Sequence, residues 1–133
     1  MDTRPGSPHV DALVHRLGEQ IARDPFYESE PWDQLALVIN LHQRTQMFGY
    51  IYSAGDWEAA GPDGSEPLET ARLLQGAMLE QNGALWRRCL ITIDRRTSKI
   101  AIDFDYDGTR WVPDASDPER FALSLKQTAP DLA

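Results

Sequence analysis

The stretch Lys99-Ile100-Ala101-Ile102-Asp103-Phe104-Asp105-Tyr106-Asp107-Gly108 admits two incompatible readings, and the choice between them decides the fold. As Asp103-x-Asp105-x-Asp107-Gly108 it matches the opening of a calcium loop, with Asp114 at the twelfth position. As an alternation it is a strand, with Ile100, Ile102, Phe104 and Tyr106 on one face and Ala101, Asp103, Asp105 and Asp107 on the other. The strand reading prevails. The apolar period runs unbroken through the acidic residues, and the twelfth ligand of a calcium loop is normally a bidentate Glu, longer than Asp. Trp111 and Pro113 also sit badly in a loop that should lead into a helix. A strand sets same-face carboxylates about 6.6–6.8 Å apart, too wide to share one cation at about 2.4 Å. The expectation is a strand with a solvated acidic face, no metal and no cofactor.

Working outward, Trp86 to Asp94 is β-rich and Arg95-Arg96-Thr97-Ser98 turns the chain, so the two segments read as a hairpin. An earlier hairpin follows the same logic. Leu35, Leu37, Ile39 and Leu41 share one face, Gln43-Arg44-Thr45 turns, and Phe48, Tyr50 and Tyr52 alternate with Met47, Gly49 and Ile51. Between the hairpins, Ser53 to Ser65 reads as a loop with Asp56-Trp57-Glu58 at its tip. Phe26 to Trp32 reads as an acidic, aromatic linker.

Helical spacing appears three times. Ser7-Pro8 is a start signal, Val10, Leu13, Val14, Leu17 and Ile21 form one stripe, and Asp24-Pro25 stops it. Pro67 to Gln81 carries Leu68, Ala71, Leu74 and Met78, and ends at Asn82-Gly83. Asp117-Pro118-Glu119 opens a short last helix with Phe121, Ala122 and Leu125 inward. The expected fold is a single α+β domain over 8–128 in the order α-β-β-α-β-β-α. It has a four-stranded antiparallel sheet with helices packed on one face, a disordered lead-in over 1–7 and a flexible tail over 129–133.

The 133 residues suffice for one core. With 21 Asp and Glu against 13 Lys and Arg, the net charge of -8 disfavours nucleic acid and anionic membrane and favours basic proteins. No apolar run reaches the roughly 18–20 residues of a membrane span, and the first residues lack a signal-like apolar stretch. The lone Cys89 fits a reducing, cytoplasmic setting, as a buried inert thiol. His9, His15 and His42 are scattered without metal-ligand spacing, and no nucleophile, zinc or phosphate-loop motif occurs, so no catalytic residue is expected. Trp57 and Trp111 each stand among carboxylates in polar segments. An aromatic ringed by acids suits contact with a basic protein, against the alternative that each ring folds back over the core edge. The expected partner-binding residues are Asp56, Trp57, Glu58, Asp103, Asp105, Asp107 and Trp111.

Trp86-Arg87-Arg88-Cys89-Leu90-Ile91-Thr92-Ile93, followed by Lys99-Ile100-Ala101-Ile102-Asp103-Phe104-Asp105-Tyr106, resembles the YezG-like antitoxin and immunity family over about Pro31 to Trp111. The resemblance implies a small cytosolic protein that neutralises a secreted, nuclease-type toxin by direct binding. Basic phosphate-gripping surfaces of such toxins would match the acidic charge here. The competing readings are a small metal-dependent protein or enzyme built on Asp103, Asp105 and Asp107, and an adaptor subunit of a larger complex. Sequence does not decide the oligomeric state.

Overall fold

The computed structural model describes residues 8–126, so Ser7, the lead-in over 1–7 and the tail over 129–133 lie outside the described residues. Helix α1 (Pro8–Ala22) buries the stripe Val10, Leu13, Leu17 and Ile21, as its spacing requires. It stops before Asp24-Pro25, and the same dipeptide opens a second helix, α2 (Pro25–Ser29), where a linker was expected. Pro25 supplies a helical φ, and the Asp24 carboxylate accepts from Phe26 N at 3.2 Å. That carboxylate also accepts from Asp63 N (2.9 Å) and Gly64 N (3.0 Å), which ties this corner to a distant loop.

The sheet has five strands rather than four. They are β1 (Gln34–Asn40), β2 (Gln46–Ser53), β3 (Asp56–Ala59), β4 (Arg88–Asp94) and β5 (Lys99–Asp105), in the spatial order β3-β2-β1-β4-β5 and antiparallel throughout. The added strand is β3, which lies where a loop was expected. Ala54 (φ 50°) and Gly55 (φ 84°) form a two-residue turn with two positive φ values, the geometry that reverses a hairpin tightly. The 41–45 turn between β1 and β2 is held by Asn40. Its side chain donates to Arg44 O (2.9 Å) and accepts from His42 N (3.1 Å).

Helices α1 and α3 (Glu66–Asn82) cover one face of the sheet, over Leu35, Leu37 and Ile39 of β1 and Cys89, Ile91 and Ile93 of β4. Helix α3 ends on Gly83 (φ 74°), whose N–H caps Leu79 O as Asn82-Gly83 implied. Fully buried Trp86 enters this core beside Phe104, ring centroids 5.3 Å apart. The expectation that all helices share one face fails at α4 (Pro118–Ser124). Its Phe121, with Leu125 just beyond it, packs on the opposite face against Ala36, Val38 and Tyr52. The physical reason lies in β1, where Ala36 and Val38 are as apolar as their neighbours, so both sides need cover. Every residue of β1 is buried.

Two close approaches fix the near edge. Tyr27 is fully buried and its hydroxyl donates to Ala60 O at 2.6 Å. Gly49 lies beneath that contact, because a Cβ there would stand 2.5 Å from Ala36 O and 3.1 Å from the Tyr27 hydroxyl.

Candidate functional site

The seven expected contact residues occupy two opposite edges of the sheet. Asp56, Trp57 and Glu58 are on β3, while Asp103 and Asp105 are on β5, with Asp107 and Trp111 in the loop after it. Four strand spacings, roughly 19 Å, separate the two edge strands. They therefore form two surfaces.

On β5 the acidic residues are engaged locally. Asp105 is 3% exposed, and its two carboxylate oxygens accept from Asp107 N (3.1 Å) and Arg110 N (2.8 Å). It is a brace for the 106–111 loop, where an exposed position was expected. Asp103 is exposed and pairs with the Arg110 guanidinium at 2.9 Å. Arg87 donates to Tyr106 O (3.1 Å) and Arg88 to Arg110 O (2.9 Å), so the loop is also clamped from β4 and the residue before it. Gly108 (φ 79°) lets the loop pass, since a Cβ there would stand 3.1 Å from Arg87 Cδ and 3.3 Å from His42 Cδ2. Asp107 is exposed. Among the described residues, no group of three or more His, Cys, Asp or Glu is placed to hold a metal ion.

The two tryptophans share the α4 face of the sheet. Trp57 pairs across strands with Tyr52 and meets Tyr50 edge to face at 5.8 Å. Trp111 packs towards the same small core, with the Arg110 guanidinium 4.3 Å from its ring. Each ring is half-buried and leans on the core edge. Trp111 has φ 55°, a costly conformation for a bulky residue, held here by the loop bracing. Between Trp111 and the end of α4 runs a groove of about 500 Å³, floored by Leu90, Thr92 and Ala101 and rimmed by Lys99, Arg110 and Lys126. Asp103 lines it too, but three cations to one carboxylate is the wrong balance for a basic partner.

The β3 edge is different. Glu58 stands opposite Ile51, a residue of the larger core, so Asp56 and Glu58 project to the face away from Trp57. There they meet Glu30 around a cleft of about 240 Å³, lined also by Pro31, Ile51, Ser53 and Trp57. Asp56 and Glu58 are exposed, and neither makes an ion pair with a described residue. Glu30 was not among the expected residues. It belongs because Arg95 draws the 27–32 segment in, lying 3.6 Å over the Trp32 ring and donating to Tyr27 O (3.0 Å) and Glu30 O (2.9 Å). The only sequence signal was acidic residues beside Pro31.

Cys89 is fully buried, and burial pushes its thiol well above the ordinary range, which keeps it protonated. His42 is half-buried and accepts from Arg87 Nη1 at its Nδ1, 2.7 Å away. Among the described residues no helix is long and apolar enough to cross a membrane. Compared with known protein families the chain matches none, and a search of curated proteins likewise finds no match.

Proposed function

We propose that this chain is a stoichiometric binding protein of the immunity or antitoxin kind, acting in the cytoplasm by covering a basic toxin domain. The observation that carries the reading is the β3-edge cleft, where Glu30, Asp56 and Glu58 surround an apolar floor of Pro31 and Ile51. A lysine or arginine of a partner would find its charge matched there and its aliphatic stem packed. Two further features support it. The net charge of -8 attracts basic surfaces at long range, and β3 is a short edge strand with open backbone beside half-buried Trp57. The resemblance of Trp86–Tyr106 to the YezG-like family points the same way.

The test is binding kinetics against the product of the adjacent toxin-type gene, at two salt concentrations. Asp56→Asn combined with Glu58→Gln is expected to slow association severalfold and flatten its salt dependence, with melting temperature unchanged. Trp57→Ala should instead raise the dissociation rate. If both variants bind as the wild type does, the β3 edge is not the contact surface and the proposal fails.

A further inference from the structure

Strand β5 is the other outer edge of the sheet, seven residues long and paired only to β4 among the described residues. Its free side can be identified from hydrogen bonding. Leu41 N donates to Arg87 O at 2.8 Å, so by alternation Cys89, Ile91 and Ile93 turn their peptide groups to β1. Arg88, Leu90, Thr92 and Asp94 then face β5, where their register partners are Asp105, Asp103, Ala101 and Lys99. The bond from Arg95 N to Asp33 O (2.8 Å) agrees, and Asp105 O faces this side although its donor, Arg87 N, lies one residue off the register, where the alternation breaks just before β4. The N–H and C=O groups of Ile100 and Ile102 therefore point outward, as do those of Phe104, whose N–H is met by Oδ1 of its neighbour Asp103 at 3.0 Å. A straight edge of this length with no proline or bulge on its open side is a template for another strand.

The strand is also complementary to itself. We propose that β5 pairs antiparallel with β5 of a second copy of this chain, about a two-fold axis at Ile102, giving a continuous ten-stranded sheet. Ile102 is both the middle residue of Lys99–Asp105 and one whose peptide groups face outward, so this register uses the whole strand. Ile102 meets Ile102 of the second copy and exchanges both backbone bonds with it, and Ile100 meets its Phe104, whose N–H exchanges its contact with Asp103 Oδ1 for the Ile100 carbonyl. Ile100 (44% exposed) and Tyr106 (40% exposed) lie on the side those pairs would cover. On the other side Lys99 falls opposite Asp105 of the second copy, whose carboxylate is buried and committed to the 106–111 loop, so the exposed Asp103 on the diagonal, beside Arg110, is the carboxylate that meets it. Lys99 makes no ion pair with any described residue, and it is the strand's only cation. The alternation that resembles a calcium loop thus carries a cation at one end and carboxylates at the other, an arrangement an antiparallel twin satisfies twice. This surface is at the opposite edge from the β3 cleft, so it stands or falls independently of the toxin-binding proposal.

Sedimentation equilibrium of the intact chain tests it. The apparent mass should rise with concentration from 15.0 kDa towards twice that value. Lys99→Glu or Asp103→Lys alone puts like charges together at both ends and should raise the dimer dissociation constant about tenfold, whereas mixing the two variants should restore a mixed dimer. Ile100→Pro removes an outward N–H and no sheet hydrogen bond, with loss of the side chain beside Gly18, so it should abolish the dimer while the far-ultraviolet spectrum of the monomer is kept. A wild type that stays at 15.0 kDa at the highest concentration overturns the proposal. So does unaltered dimerisation of Ile100→Pro, or failure of the two charge variants to pair when mixed.

Discussion

Tyr52 shows how one side chain fastens the second layer of the molecule. Its ring is 2% exposed, and its hydroxyl donates to Ala122 O, a hydrogen bond that ties the sheet to α4. Burial, with Tyr50 adding to it, pushes the phenol well above the ordinary tyrosine value of about 10. Burial raises Tyr27 in the same way. A raised folded-state pKa favours the protonated form, so the contribution is complete below the unfolded value and is lost as pH rises above it. The melting temperature should therefore hold near neutrality and fall above about pH 10. Tyr52→Phe should cost about 1–2 kcal/mol at pH 7 and make the alkaline fall shallower. Thermal melts of both proteins from pH 7 to 11 check this. A parallel alkaline fall in both would mean that Tyr52 is not a source of it.

Among the elements, β1 and β5 carry the same period-two pattern with different consequences. Leu37 and Ile102 both face the larger core, but Leu37 is fully buried on the central strand and Ile102 half-buried at the edge. Leu37→Ala should cost about 2–5 kcal/mol and Ile102→Ala distinctly less, read from denaturant unfolding of each. Equal losses would place the edge as deep as the centre. These facings were legible in sequence because alternation fixes them. The hairpin to β3 was not, since Ala54-Gly55 lacks the Asn-Gly or Asp-Gly signature and β3 pairs only four residues. Helix α2 escaped notice because five residues are too few to show a helical period. The site was legible only in part. Asp56 and Glu58 were picked out by charge, but Glu30 comes to them only through the stacking of Arg95 on Trp32. Asp105 looked exposed by its period, yet its role is set by loop N–H groups five residues on, which no local pattern reveals.

At the scale of the whole molecule, the order β3-β2-β1-β4-β5 puts the first strand of the chain in the middle, between its sequence neighbour and a strand made almost fifty residues later. Because β1 is roofed on both sides and paired along both flanks, no partial opening frees it. Its amide hydrogens are consequently a gauge of the entire fold. In deuterated solvent the Leu37 and Val38 amides should exchange last, at the rate of global unfolding, while α4 and the β3 hairpin exchange through smaller openings. Residue-resolved exchange measured beside the denaturant unfolding energy checks this. Protection of β1 well below that energy would reveal a route by which the centre opens while its surroundings remain folded.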